Sequence, residues 1–255
     1  MAISKIQYVS DLHLEFPKNK AFIDNNPIVP KGDILILAGD IVPFAILNKH
    51  QDFFSYLADN FEFTYWIPGN HEYYYFDIAD KSGVLWEEIR PNVVLLNNTA
   101  VQIQDTKLIF STLWSKIAPA NKFYVQENLS DFHVILYKGK TLRTETYNQL
   151  HAESLHFIRR ELQTQNQGKT VVVSHHVPTY MNYPEIYKGS KLNEGFAVEL
   201  FDTIESSSVD YWIYGHSHYN TADFTIGNTK ILTNQLGYIH QNEHLLFNPD
   251  ASIIF

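Results

Sequence analysis

The stretch "DILILAGD" at residues 33–40 anchors the reading of the chain. From Ile34 to Ala38 the residues are apolar without interruption, the pattern of a strand buried on both faces of a sheet rather than the alternation of a half-solvated one. Gly39 then permits a sharp turn, and Asp40 stands at the strand end. Moving outward, the same arrangement recurs. "QYVS" runs into Asp11-Leu12-His13, "YWIPG" into Asn70-His71, "VVVS" into His175-His176 and "WIYG" into His216-Ser217-His218. Gly39, Gly69 and Gly215 immediately precede three of these tips. In open α/β sheets ligands bind beyond the carboxyl ends of the strands, so all five tips can converge on one crevice.

Further short runs, "KIQYV", "VVLLNN", "LIFST" and "KILTNQLGY", also have the length and the branched or aromatic content of strands. Helical periodicity is expected over 47–59, 78–90, 144–165 and 194–207, and the alternation of the two patterns indicates an α/β protein with buried sheet. Residues 111–143 have weaker periodicity and read as irregular structure or a cap near a site. No repeat or linker-like tract interrupts the chain, so residues 1–255 are expected to form a single domain.

Composition removes several classes of function. Of 255 residues, 45% are apolar and only 18% charged, enough to bury a substantial core. A net charge of −9 disfavours a surface-wide grip on long nucleic acid or anionic membrane. With no cysteine, disulfides, thiolate zinc sites, iron–sulfur clusters and cysteine nucleophiles are excluded, and a metal must be held by His, Asp, Glu, Asn or backbone oxygen. "ISKIQYVS" lacks the form of a signal peptide and no apolar run reaches membrane-spanning length, so a cytoplasmic protein is expected and the sequons at Asn97 and Asn128 are read as chance. "YKGKT" at 137–141 lacks the upstream glycine of a phosphate-binding loop, and no G-x-G-x-x-G or G-x-S-x-G is present.

Each tip has a structural alternative when taken alone. Asp11 and Asp40 can cap a turn or helix, and Asn70-His71 can be a turn. His216 and His218, two residues apart after a strand, can aim at one face, while His175-His176 offers one inward ligand and one packing residue. Recurrence of such residues at the same strand-end position is what favours chemistry.

In order and approximate spacing, "DLH" (11–13), "GD" (39–40), "GNHE" (69–72), "SHH" (174–176) and "GHSH" (215–218) resemble the calcineurin-like metallophosphoesterase family, over residues 11 to 218. The resemblance implies a four-layer α/β/β/α sandwich with two divalent metal ions at the strand ends. It implies that Asp11, His13, Asp40 and His218 surround one ion, that Asp40, Asn70, His175 and His216 surround the other with Asp40 as the bridge, and that His71 sits by the leaving-group oxygen. Such hard-to-borderline donors suit manganese, iron, zinc or a mixed pair. Few carboxylates among them leave the centre positive, matched to a phosphoryl group.

The expected reaction is hydrolysis of a small phosphate ester by a metal-bridging hydroxide, the metals standing about 3.5–4 Å apart, with Asp40 and His71 the catalytic pair. The absence of an evident extra Arg pair near the motifs favours phosphodiesters. The alternatives are a phosphomonoesterase or phosphoprotein phosphatase on the same site, and a non-catalytic metal-binding module. Glu72 reads first as structural and second as an orienter of His71. The run Tyr73-Tyr74-Tyr75-Phe76 reads as core before aromatic lip, Trp114 with Ser111, Thr112 and Ser115 as possible cleft residues, and the tail 234–255 as closing strands of a second sheet.

Overall fold

A computed structural model describes residues 4–255. Strands β1 (Lys5–Val9), β2 (Ile34–Leu37), β3 (Phe63–Trp66), β4 (Leu85–Arg90) and β5 (Val93–Asn97) fill the first part of the chain. Next come β6 (Thr99–Ile103), β7 (Thr106–Ser111), the hairpin β8 (Leu136–Tyr137) and β9 (Lys140–Thr141), then β10 (Thr170–Ser174) and β11 (Tyr211–Tyr214). The last are β12 (Phe224–Ile226), β13 (Thr229–Thr233) and β14 (Ser252–Ile254). The helices are α1 (Pro17–Asn25), α2 (Gln51–Asn60), α3 (Lys122–Asn128), α4 (Asp131–Val134), α5 (Thr144–Leu162) and α6 (Phe201–Glu205).

Two six-stranded mixed sheets result, ordered β14-β1-β2-β3-β5-β4 and β12-β13-β11-β10-β7-β6. In each, four central parallel strands are flanked by antiparallel edges. Side-chain alternation divides the interior into layers. Ile6, Tyr8, Ile34 and Ile36 of one sheet meet Leu108, Phe110, Val171 and Val173 of the other between the sheets. Val9, Leu35 and Leu37 face outward onto Phe53, Phe54 and Leu57 of α2, whereas Ile109, Val172 and Trp212 face Phe157 and Ile158 of α5. This is the expected α/β/β/α sandwich.

Three local expectations are corrected. Residues 78–90 form a short turn of helix followed by β4, not a helix, because Leu85, Glu87 and Ile89 alternate inward against Trp86 and Glu88 as an edge strand zipped to β5. Only Phe201–Glu205 of the stretch 194–207 is α-helical. The tail's closing strand β14 pairs with β1 and so belongs to the first sheet, not the second. No helix among the described residues is long and apolar enough to cross a membrane.

Candidate metal centre

The carboxyl ends of the central strands of both sheets open onto one crevice. Leaving β1, β2 and β11, the chain turns through left-handed backbone at Asp11 (φ 56°), His13 (48°), Asp40 (56°), His216 (74°) and His218 (51°). Non-glycine residues adopt this region at a cost of about 1–3 kcal/mol each and persist there only where surrounding contacts over-determine them. Here the contacts are plain: Asp11 accepts the His216 backbone N–H (3.0 Å), and Asp40 Oδ1 accepts that of His71 (2.9 Å). Of the three preceding glycines only Gly39 has positive φ (91°); Gly215 is required by space, since a Cβ there would stand 2.6 Å from Asp11 Oδ2. A Cβ on Gly69 would run into Asp40 Oδ1 and His175 Nε2.

Two groups of donors share Asp40. Asp11, His13, Asp40 and His218 form one, and Asp40, His175 and His216 the other, with the ligand atoms in each within 4.8 Å of one another. Asp40 Oδ2 lies 3.7 Å from His13 Nε2, and Oδ1 lies 3.3 Å from His175 Nε2. Asn70 Oδ1 is 3.2 Å from the same His175 nitrogen and completes the second group. Every sequence-assigned ligand is thus brought together, and all are buried or nearly so.

The imidazoles are held from behind. His13 Nδ1 donates to Glu15 (3.1 Å), His175 Nδ1 to the Ala38 carbonyl (2.9 Å), His218 Nδ1 to Glu243 (2.8 Å) and His216 Nε2 to the Gly195 carbonyl (3.3 Å). With the outer nitrogen protonated, each inner nitrogen presents a lone pair to the centre. Two such pairs face one another, His13 and His218 at 2.8 Å and His175 and His216 at 3.1 Å. Opposed lone pairs beside buried carboxylates are an arrangement a shared cation satisfies. The same carboxylates draw positive charge to the site: burial opposes it, yet Asp11 and Glu243 raise His218 to about 10 and Asp40 raises His175 to about 9, and a bound cation would take the place of those protons. Burial would raise Asp40, but His175 and His71 hold it well below the carboxylate range. Burial and neighbouring imidazoles push His216 and His176 down, keeping them neutral. The donor set fits divalent ions.

His71 stands outside the two groups of donors that share Asp40. Its Nδ1 donates to Glu15 (2.8 Å), its ring lies on Tyr74 (centroids 4.0 Å, 25°), and Nε2 faces the crevice with the Tyr238 hydroxyl at 3.4 Å. Burial depresses it, but Asp40 and Glu15 more than compensate, and its affinity for a proton is raised.

Several supporting residues carry no local signature in the sequence. Glu15 joins His13 to His71, and Glu243 steadies His218. Asp131 Oδ1, on α4, accepts both Asn70 Nδ2 (2.8 Å) and the Tyr74 hydroxyl (3.0 Å), which turns the amide oxygen of Asn70 toward the centre. The segment 111–143 therefore does approach the site, but through Leu129, Ser130 and Asp131. Trp114, Ser111, Thr112 and Ser115 are buried and do not line the crevice. Glu72 is structural and its carboxylate makes no hydrogen bond to the His71 ring: it accepts the N–H groups of Asp40, Ile41, Val42 and Gly69 and the Trp66 indole, tying the β2 and β3 ends together. Burial and the Asp40 charge push Glu72 up to about 8, yet every partner of its oxygens is a donor, the arrangement of an ionised carboxylate. Of the aromatic run, Tyr73 is core and Tyr75 is exposed, while Tyr74 alone lines the crevice.

A sandwich of this kind with a two-centre His/Asp cluster at its strand ends defines a dimetal phosphoesterase. The family model of calcineurin-like phosphoesterases matches residues 4–220, and the chain belongs to that family. It is a metal-dependent phosphoesterase, a hydrolase of phosphate esters with a dinuclear divalent metal site. It is similar to the uncharacterized protein L509 of Acanthamoeba polyphaga mimivirus, 32% identical over 274 residues covering 97% of this chain and 95% of that protein. In fold it is similar to phosphopantetheinyl hydrolase (PptH) from Mycobacterium tuberculosis, with TM-score 0.68, 15% identity, and 96% and 93% of the two chains covered.

Proposed function

We propose that residues 1–255 act as one phosphodiesterase domain. Asp11, His13, Asp40 and His218 hold one divalent ion, and Asp40, Asn70, His175 and His216 hold the other. The observation that carries the diester reading is the lining of the crevice. Among the described residues it contains no Lys or Arg, so beyond the ions only His71 could offer positive charge to a monoester, and its proton is assigned to the leaving oxygen.

The bound ions, manganese, iron or zinc, supply an activated water and positive charge for the phosphoryl oxygens. Asp40, with one oxygen toward each group of donors, sets the spacing of the pair. Glu15 and the Asp40 carboxylate raise the proton affinity of His71, and Glu15 holds its Nδ1 so that Nε2 is aimed into the crevice, where it donates to the leaving oxygen; such a step contributes about 10²–10⁴-fold. Tyr74 and Phe196, stacked on His71 and His216, shield both rings from solvent.

The test is hydrolysis of an aryl phosphodiester beside the matching monoester with added manganese, iron or zinc, and Asp40→Asn in parallel. Diester turnover that disappears in the variant is expected. Monoester-only turnover would replace the diester reading by a phosphomonoesterase on the same residues.

A further inference from the structure

Between His176 and Ala197 the chain makes an excursion, closed at its neck by the Val177–Ala197 bridge and the Val177 N–H to Phe196 carbonyl bond (3.1 Å). Its returning limb is fastened to the metal centre. The Gly195 carbonyl accepts from His216 Nε2 and from the Tyr147 hydroxyl (3.0 Å), and Glu194 accepts the Ala118 N–H (2.8 Å) and Asn121 Nδ2 (2.7 Å). The Phe196 ring lies on that of His216 (centroids 4.7 Å, 26°). The outer limb is looser, and Ile186 at its tip is 74% exposed. Yet Tyr183, Tyr187, Ser190 and Leu192 of this limb reach the crevice wall, and Asn193 Nδ2 holds the Tyr187 carbonyl at 2.7 Å.

The crevice offers about 340 Å³, at the small end for ligand sites, room for a phosphoryl group with a ring-sized substituent. The two lysines nearest in the loop are engaged elsewhere, Lys188 with Glu185 (3.2 Å) and Lys191 over the Tyr124 ring (5.7 Å). An anionic substituent would find no lysine or arginine in the lining. A cationic one would find no free carboxylate, since Glu243 is committed to His218 and to the Tyr238 N–H (2.6 Å). An acyl chain would gain no ring stacking on Tyr183 and Tyr187.

We propose that the loop 178–196 forms a specificity subsite beside the metal centre, which receives an uncharged, ring-bearing ester group of the substrate on the faces of Tyr183 and Tyr187. The proposal rests on the phosphodiesterase reading. It links choice of substrate to catalysis through Gly195 and Phe196, because the limb that shapes the subsite also fixes His216.

The test compares p-nitrophenyl phosphodiesters whose second ester is phenyl, methyl or choline, with the manganese-loaded protein. Binding of phenyl methylphosphonate and methyl methylphosphonate is measured by calorimetry. The phenyl ester is expected to exceed the methyl ester in kcat/KM by about tenfold, the scale of one ring stacked on an aromatic side chain. Tyr183→Ala and Tyr187→Ala are expected to drive the phenyl-to-methyl ratio toward one, while Tyr183→Phe and Tyr187→Phe retain it. Because the ratio is internal to each variant, partial misfolding does not mimic the result. Equal rates for phenyl and methyl, a ratio unmoved by both alanine variants, or a choline ester outrunning the phenyl ester each overturn the subsite. If no diester is hydrolysed, the phosphodiesterase reading fails separately. The phosphonates then still decide the subsite: tighter phenyl binding upholds it, and equal binding overturns it.

Discussion

The floor of the crevice and its 178–196 wall are held in different ways. Floor residues sit at the ends of buried strands, several in left-handed backbone, with each imidazole pinned from behind by a carboxylate or carbonyl. The wall is irregular chain, closed at one bridge and ending in an exposed tip. Strained backbone survives only where hydrogen bonds over-determine it, so the floor has one workable geometry and tolerates little change. The outer limb of the wall can present different side chains with little effect on the floor, whereas its returning limb is tied to His216 through Gly195 and Phe196.

That contrast can be broken most severely at Asp40. Asp40→Asn removes the negative charge of the shared carboxylate and turns one of its two acceptor oxygens into a donor, and loss of both turnover and retained metal is expected, read by elemental analysis of the purified protein. Full metal content with full turnover would remove Asp40 from the floor. His71→Ala is expected next, lowering kcat by about 10²–10⁴-fold for a poor alkoxide leaving group and by much less for p-nitrophenolate. Equal losses for both esters would show that His71 does not donate the proton. Asp131→Asn probes what holds the floor from outside the motifs. An amide there can favour the flipped Asn70, and metal affinity is expected to fall by about 10–100-fold in a calorimetric titration, the usual effect of losing an outer partner. Unchanged affinity would mean Asn70 is oriented without it. The mildest change is at a residue that does not line the crevice. Lys20 bridges Asp24 (2.6 Å) and Asp52 (2.9 Å) at the surface. Lys20→Ala should cost no more than about 1 kcal/mol in thermal unfolding and leave kcat unchanged.

Much of the floor was legible because its signals are local. A buried strand reads as an apolar run, its end is marked by the next polar residue, and Asp11, His13, Asp40, Asn70, His175, His216 and His218 all occupy that position. The partners that make those residues functional lie far away in the chain. Glu15 meets His71 across 56 positions, Asn70 meets Asp131 across 61, and His218 meets Glu243 across 25. Nothing near Asp131 in the sequence marks it as the residue that orients an amide. β4 was misread for a related reason: the apolar spacing of 78–90 fits a helix, and only pairing with β5 decides otherwise.

By itself the sequence determined the α/β class of fold, its buried strands and the polar residues that stand at their ends, since apolar periodicity and strand-end chemistry are properties of neighbouring residues. Tertiary structure alone decided that β14 closes the first sheet, that Glu72 is a structural tie, and that Tyr183 and Tyr187 share a crevice with His71. Each depends on which distant segments pack together, and packing is settled by the buried surface of the whole chain rather than by any short stretch of it.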